Sequence, residues 1–247
     1  MSSRPLRTCA PALHRAVATS VFATLFLLAG CTAGGPDAAS GTGPTGSAIV
    51  EPAAFAASGI GVIAEGCSLV ASLGSGVVVE RSGQVATAAH TVRGAPVITV
   101  IDVAGQEHSA SVTSFDKDSD LALLDVPTLT APPLGIGTAR VGPATLMTWS
   151  RTAGVTQQLV DVTRLLNINI EDIYRDEVVQ RAGLEIDGDV VVGQSGGPVI
   201  DASGEVIGII YATSKDRNTV GFATDDTELR DLIKARSAVG VANGQCP

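Results

Sequence analysis

Regular helical periodicity and basic charge are both scarce in this sequence of 247 residues. Apolar residues seldom recur at helical spacings, while 28 glycines and many valines accompany short apolar runs, and this pattern predicts an all-β fold. Only 16 lysines and arginines stand against 25 acidic residues, which gives a formal net charge of −9. An acidic surface argues against nucleic acid as a partner, because that binding relies on basic groups that neutralise phosphates.

Several kinds of functional site are also missing from the sequence. No internal repeat is visible, no group of histidine, cysteine and acidic residues has metal-ligand spacing, and no glycine loop carries the lysine of a phosphate site. We therefore expect neither a metal nor a cofactor. Of three histidines, His14 lies in the N-terminal segment, and the polar alternating strand around His108 predicts a solvent-facing side chain. His90 is left as a candidate base.

The first 58 residues have the composition of a lipoprotein leader and tether. Residues 1–15 hold three arginines and no acid, and the apolar run 16–30 is too short to span a bilayer but suits a signal-peptide core. The run ends in Leu-Ala-Gly-Cys31, which resembles a lipobox and predicts a signal peptide over 1–30 and a lipid anchor on Cys31. An ordinary secretory signal is the alternative. The anchored linker, 31–58, is predicted to be a flexible tether because Gly, Ala, Ser, Thr and Pro dominate it.

The segment 192–200 reads Val-Gly-Gln-Ser-Gly-Gly-Pro-Val-Ile and carries the strongest chemical signal in the chain. Glycines on both sides of Ser195 allow the backbone to turn sharply and to approach a ligand closely. A serine hydroxyl is a weak nucleophile until a base takes its proton, so a histidine and a carboxylate are required elsewhere. His90 ends the run Val-Ala-Thr-Ala-Ala-His, and Asp120 begins the run Asp-Leu-Ala-Leu-Leu. The chain order is therefore His, Asp, Ser.

These three motifs, in this order, resemble the catalytic motifs of the trypsin-like (chymotrypsin-fold) serine peptidases. The Asp-Leu-Ala sequence is similar to the HtrA/Deg branch. Further similarities to the protease domain of mycobacterial acid-resistance proteases are Asp172-Ile-Tyr174, Gly204-Glu-Val-Ile-Gly208 and Gly221-Phe-Ala223. The resemblance covers about 59–247. It implies an all-β protease domain of two six-stranded Greek-key β-barrels, about 59–130 and about 131–247, with a C-terminal helix.

The resemblance also implies a role for each residue of the motifs. Ser195 is expected to attack a peptide carbonyl, His90 to take and return the proton, and Asp120 to fix the imidazole tautomer. The backbone N–H groups of Gly193 and Ser195 are expected to form the oxyanion hole.

Gln194 stands where trypsin has an aspartate that pairs with the N-terminus freed by zymogen cleavage. An amide cannot form that ion pair, so activity is predicted not to require a new charged N-terminus.

Substrate selection is less well defined by the same resemblance. Asp189 lies six residues before Ser195, where trypsin-type enzymes place the acid that binds arginine or lysine. The flanking cysteines of that pocket are missing, however, and an HtrA-like alignment places Asp187 there instead. A preference for small or apolar residues is therefore favoured over a basic one. The positions at which the family pairs its substrate as an added strand correspond to Tyr211, Ala212 and Thr213.

The four cysteines lie in different contexts, and the resembling domain also has a cysteine near each end. Cys9 belongs to the basic N-terminal segment and Cys31 to the lipobox. A single pairing, Cys67 with Cys246, is then expected in an oxidising compartment. Two free thiols are the alternative.

Together these features predict a monomeric, lipid-anchored serine endopeptidase. It would act through an acyl-enzyme on envelope or secreted proteins, at the extracytoplasmic face of a bacterial cell membrane. Secretion is the alternative location, and a catalytically silent protease-fold binding or sensor lipoprotein is the alternative function. The polar, acidic segment 167–181 bears on this choice, because it could be a mobile loop that occludes the cleft. A solvated surface without a role is the favoured interpretation of that segment.

Overall fold

The computed structural model describes residues 55–217 and 219–247, so the predicted signal peptide, Cys31 and most of the tether lie outside the described residues. None of the helices in these two ranges has the length and apolar character needed to cross a bilayer. The secondary structure consists mainly of strands, in the chain order β1 (Gly59–Glu65), β2 (Ser72–Val78), β3 (Gln84–Ala88), α1 (Ala89–Val92), β4 (Val97–Ile101), β5 (Glu107–Ser109), β6 (Ser111–Asp116), β7 (Leu121–Asp125), β8 (Gly142–Ser150), β9 (Gly154–Glu171), β10 (Val178–Asp187), β11 (Pro198–Ile200), β12 (Val206–Thr213), β13 (Val220–Asp225) and α2 (Asp226–Lys234).

The first sheet has the strand order β5-β4-β1-β2-β3-β7-β6, and all of its neighbouring strands are antiparallel. Its two edge strands are halves of one bent segment, because only Ala110 separates β5 from β6. The Ala110 N–H still donates to the Ile98 carbonyl oxygen at 3.0 Å, so the segment leaves β4 and joins β7 directly. The sequence predicts one strand over 107–115. The bend divides that strand, so that one segment forms both edges of the first sheet, which is the first barrel of the prediction.

The second sheet is a closed barrel with the order β10-β13-β12-β11-β8-β9, which confirms the predicted all-β, six-stranded architecture. Its longest strands, β9 and β10, pair continuously from Asp161↔Asp187 to Glu171↔Val178, with one register shift. The alternative of a mobile loop over 167–181 is therefore wrong, because strands cover this segment except for the turn 172–177. Leu166, Ile168 and Ile170 alternate with polar residues there, and this period of two is that of a strand.

Three large apolar clusters fill the described part of the fold, one inside the first sheet, one inside the second barrel and one between the two sheets, and a fourth, small cluster consists of Ile63, Ile101 and Trp149. Strand β7 contributes to two of them, since Ala122 and Leu124 face the first cluster while Leu121 and Leu123 face the shared one. Both faces of β7 are buried, which is why the strand is a continuous apolar run. Asp120 precedes this strand and is thereby placed where the two sheets meet.

Helix α2 begins at an aspartate that caps its N-terminus. The Asp225 carboxylate accepts hydrogen bonds from the N–H groups of Thr227 at 3.0 Å and Glu228 at 3.3 Å. Glu228 does not complete a capping box, because its Oε1 accepts instead from the Ala182 N–H of β10 at 3.0 Å. The apolar face of α2 packs on the cluster between the sheets through Leu229, Leu232 and Ile233.

Both ends of the described chain pack differently from the predicted boundaries. Phe55 is buried in the cluster between the sheets and a 3-10 turn follows at Ala56–Ser58, so packing begins before Gly59. At the other end, the Ser237 and Val241 N–H groups each donate to the first sheet at 2.8 Å, to the carbonyl oxygens of Thr113 and Val112. The tail that follows α2 therefore belongs with the first barrel, although the predicted range 131–247 assigns it to the second.

Candidate active site

The structure brings His90 and Asp120 into direct contact. His90 lies in the single turn α1, which follows β3 immediately, and its Nδ1 is 2.7 Å from Asp120 Oδ2. The His90 backbone N–H donates to Asp120 Oδ1 at 2.9 Å. The carboxylate is buried, with 6% of the side chain exposed, whereas 33% of the imidazole is exposed. Asp120 therefore holds a proton on Nδ1 and leaves Nε2 available to accept one from a nucleophile.

The Asp120 backbone is held in an unusual conformation. Its φ is +59°, in the left-handed region that costs a non-glycine residue roughly 1–2 kcal/mol. The Asp120 carbonyl oxygen accepts the Ala89 N–H at 3.0 Å, which joins the acid to the turn that carries the histidine. In the preceding turn, Asp116 accepts from the Asp118 N–H at 2.9 Å and from the Ser119 hydroxyl at 2.7 Å. These hydrogen bonds stabilise the strained conformation.

The loop that carries Ser195 meets the first sheet at Gly74. The Ser75 N–H donates to the Ser195 carbonyl oxygen at 2.7 Å. A Cβ on Gly74 would lie 2.8 Å from that oxygen and 2.9 Å from the Thr91 hydroxyl, beside His90. Among the described residues no hydrogen bond joins the Ser195 hydroxyl to His90. Such bonds commonly tighten only when substrate binds, and the role of Ser195 as the nucleophile stays a prediction.

The predicted oxyanion hole is accessible. Gly193 has a φ of +96°, and nothing lies within 4 Å of the point where its Cβ would be. Within the described part of the chain, the N–H groups of Gly193 and Ser195 donate to no other protein group. Gln194 supports this loop internally, since its Oε1 accepts the Val191 N–H at 2.9 Å. That activity requires no new charged N-terminus stays a prediction.

The segment proposed to pair with substrate has an open edge. Ala212 and Thr213 pair with β13 on one side, through Phe222 and Gly221. On the other side, β11 pairs with β12 only as far as Ile209. Within the described residues, the edge from Tyr211 to Thr213 is therefore available to an added strand.

Two cavities lie at the site, one beside the pair of His90 and Asp120 and one beside the serine loop. One, of about 370 Å³, is lined by His90, Asp120, Ile170 and Tyr211 among others. The other, of about 350 Å³, lies beside Gly193 and has a mainly apolar wall that includes Leu73, Trp149 and Val192.

Asp187 and Asp189 line neither of these two cavities. Both residues are exposed, and the Asp189 carbonyl oxygen accepts the Gln158 amide at 2.9 Å. Their role in specificity stays a prediction.

The tip of the β9–β10 hairpin is fastened to the first sheet by Lys117. The Lys117 ammonium donates to Asp172 Oδ2 at 2.7 Å, to Asp118 Oδ1 at 2.9 Å and to Glu177 Oε2 at 3.2 Å. These three carboxylates are close enough together to hold a metal ion, but the ammonium already supplies the positive charge. Its hydrogen bond lowers the pKa of Asp172 to about 2 against the opposing effect of burial. The acidic segment is thus part of the wall beside His90.

Replacing Lys117 by methionine is expected to destabilise the protein most above about pH 4. Asp172 has a pKa of about 2 in the folded state and about 3.9 when unfolded, so its ion pair stabilises the fold above the unfolded value. That contribution is lost as the pH falls through about 2, where the two proteins should converge. Thermal unfolding from pH 7 to pH 2 measures this difference, with Lys215→Met as an exposed control. A constant difference across that range would contradict the expectation.

Other residues near His90 carry no motif that sequence reasoning could use. Arg93 Nη1 donates to the Ile173 carbonyl oxygen at 2.7 Å, which links α1 to the hairpin tip. The Asn243 amide donates to the carbonyl oxygens of Val92 at 2.7 Å and Ala95 at 3.0 Å. The predicted disulfide between Cys67 and Cys246 is present and fastens the tail beside the same turn. The tail thus supports the turn that carries His90.

The chain is similar in sequence to known peptidases. A profile of the trypsin-like peptidase domain matches residues 74–209, which include His90, Asp120 and Ser195. Serine protease Rv3671c of Mycobacterium tuberculosis (strain ATCC 25618 / H37Rv) is 32% identical over 178 residues, covering 70% of this chain and 44% of that protein. The putative serine protease HhoA of Synechocystis sp. is 32% identical over 184 residues, covering 69% of this chain and 44% of that protein. The chain thus spans less than half the length of these relatives.

Solved structures show the same similarity in three dimensions. The crystal structure of the active form of the Rv3671c protease superposes with a TM-score of 0.73 at 30% identity, covering 78% of this chain and 87% of that one. Its inactive form superposes with a TM-score of 0.64 at 29% identity, covering 75% of this chain and 92% of that one.

Proposed function

The chain belongs to the trypsin-like peptidase family and is a serine protease, and from this premise we propose that it is an extracytoplasmic endopeptidase held at the membrane by a lipid on Cys31. Its substrates are envelope or secreted proteins. The hydrogen-bonded pair of His90 and Asp120, placed beside the glycine-rich loop of Ser195, is the observation that carries the catalytic part of this proposal. The greater similarity to the active than to the inactive form of the Rv3671c protease supports a competent site.

The reaction uses only side chains and backbone groups of this chain. Nε2 of His90 accepts the Ser195 proton as the serine oxygen attacks the substrate carbonyl carbon. Asp120 stabilises the resulting imidazolium, and the N–H groups of Gly193 and Ser195 donate to the oxyanion. His90 then gives its proton to the leaving amine, which leaves an acyl-enzyme. Water then attacks the acyl carbon while His90 takes a proton from it. His90 returns this proton to the Ser195 oxygen as the acid product leaves.

The open surface around the site supports cleavage within a chain. An extended substrate segment would pair with the edge from Tyr211 to Thr213, with one cavity beside His90 and Asp120 and another beside Gly193 of the serine loop. Substrate can therefore continue past the cleaved bond in both directions, as an endopeptidase requires. The apolar wall of the cavity beside Gly193 supports a preference for apolar over basic side chains near that bond.

Labelling with a fluorophosphonate probe tests the catalytic proposal directly. The full-length protein, Ser195→Ala and His90→Ala are compared with Ser203→Ala, which alters an exposed serine in the turn between β11 and β12. We expect covalent labelling of the wild type and Ser203→Ala, because only an activated serine reacts. Neither Ser195→Ala nor His90→Ala should be labelled. A folded wild type that fails to label would sink the proposal in favour of the silent binding or sensor protein.

The lipid anchor requires a separate test, because it depends on the lipobox resemblance alone. The full-length protein and Cys31→Ser are expressed in a bacterial host fed with a radiolabelled fatty acid, with Cys9→Ser as the matched control. We expect label and membrane association in the wild type and Cys9→Ser only. An unlabelled wild type recovered in the medium would instead support secretion.

A further inference from the structure

Arg181 is a buried cation without an acidic partner. It lies in β10 with 2% of its surface exposed, borders the cavity lined by His90 and Asp120, and among the described residues its guanidinium forms no salt bridge. The neighbouring Glu228 carboxylate interacts with this cation electrostatically but makes its hydrogen bond with the Ala182 N–H. Burying an unpaired charge is unfavourable for stability, so an arginine at this position calls for a reason other than packing.

The contacts of Arg181 join two parts of the active site. Its Nε donates to the Asp118 carbonyl oxygen at 2.8 Å, and its Nη2 donates to the same oxygen. The guanidinium also lies 4.7 Å from the centre of the Tyr211 ring, in cation–π contact. Asp118 lies two residues before Asp120, and Tyr211 belongs to the edge proposed to receive substrate. Arg181 therefore connects the turn of the catalytic acid with the strand that would bind the peptide.

We propose that Arg181 is a positioning residue that holds Asp120 and His90 in register with Ser195, an inference that rests on the proposed function. The acid and the base belong to the first sheet, whereas the nucleophile belongs to the second barrel. A triad divided in this way works only while the two sheets keep their relative position to within about 0.5 Å. Nε and Nη2 of Arg181, in the second barrel, both donate to the carbonyl oxygen of Asp118, which lies in the turn before Asp120 in the first sheet.

The backbone conformation of Asp120 adds to this assignment. Its φ of +59° is unfavourable and persists only while its surroundings enforce it. The hydrogen bonds of Asp116 act within the turn, and the Ala89 N–H comes from the same sheet. Arg181 supplies a contact from the second barrel. Its loss would let the turn relax and move the Asp120 carboxylate away from His90.

A double-mutant cycle on the full-length protein tests the assignment. The second-order rate of fluorophosphonate labelling is measured for wild type, Arg181→Met, Asp120→Asn and the double variant. Methionine keeps an apolar stem but removes the donors and the charge, and we expect it to slow labelling by roughly 10- to 100-fold, as a misplacement near 1 Å does. Arg164→Met is the matched control, because Arg164 lies on the same hairpin with its side chain 61% exposed and bonds to Glu185. It should label at the wild-type rate.

If Arg181 acts through Asp120, the double variant should label no more slowly than Asp120→Asn alone. The assignment would be overturned if the fold-reductions in labelling rate of the two single variants multiplied in the double variant. An Arg181→Met protein that labels at the wild-type rate would overturn it too. A wild type that does not label refutes the proposed function instead, so the two failures are distinguishable.

If Arg181→Met does not fold, Arg181→Lys replaces it. Lysine keeps the charge but cannot reproduce both bonds, so an intermediate rate is expected and an unchanged rate would overturn the assignment.

Discussion

Asparagine in place of Asp120 is expected to lower kcat by about 10⁴-fold while the fold stays intact. Asp120 uses one oxygen for the His90 backbone N–H and the other for Nδ1. Asparagine can retain the first bond only by turning its NH₂ group toward Nδ1, which then must accept. The ring proton moves to Nε2, and the imidazole can no longer take the proton of Ser195.

Asp125→Asn is the matched control for this change. Asp125 ends the same strand, β7, but its carboxylate meets Arg81 at 3.0 Å and takes no part in the site. Hydrolysis of an internally quenched peptide should proceed at the wild-type rate in this variant. If Asp120→Asn cleaved the same peptide within tenfold of the wild-type kcat, the assignment of Asp120 as the catalytic acid would have to be abandoned.

Alanine in place of Gly196 is expected to remove about 2–5 kcal/mol of stability, which is a large fraction of a typical 5–15 kcal/mol. The new Cβ would lie 2.0 Å from the Ser75 carbonyl oxygen and 2.4 Å from the Thr87 hydroxyl. The Gly196 φ of +88° adds a conformational cost for any side chain. Relief of the clash would push the serine loop away from β2, so labelling of Ser195 should fall as well.

Gly105→Ala separates the two costs. Gly105 has a comparable φ of +79°, but nothing lies within 4 Å of its Cβ position. This variant should lose only the conformational part, about 1–2 kcal/mol, and keep full labelling. Denaturant unfolding of both variants gives the comparison. Equal losses would show that close packing of the serine loop on β2 contributes nothing.

The chemistry of the site was predictable from short motifs, because each holds its residues in a local conformation. Ser195 lies among glycines that take positive φ, and His90 follows directly on a buried strand. The segment 167–181 was not predictable in the same way. The acidic residues at its tip favoured a solvated polar surface. The alternation of Leu166, Ile168 and Ile170 with polar residues indicates a strand, and in the structure it continues β9. A period-two pattern is easily missed when polar side chains fill the other positions.

Arg181 shows why the rest could not be predicted. Its position within the mostly apolar stretch Val-Val-Gln-Arg-Ala-Gly-Leu could have indicated a buried charge, but not the carbonyl that it binds. That oxygen belongs to Asp118, 63 residues away on the other sheet. Asn243 similarly binds Val92 across 151 residues. A hydrogen bond to a backbone carbonyl places no demand on the identity of the accepting residue, so the sequence carries no trace of it.

The sequence by itself determined the peptidase family, the all-β architecture and the order of His90, Asp120 and Ser195, and it favoured the pairing of Cys67 with Cys246 over two free thiols. These depend on local backbone conformation and on side chains whose chemistry has few substitutes. Only the tertiary structure decided that the β9–β10 hairpin walls the site, that the tail supports the turn of His90, and that Arg181 spans the two sheets. Those features arise where distant segments meet, and long-range packing rather than local preference selects them.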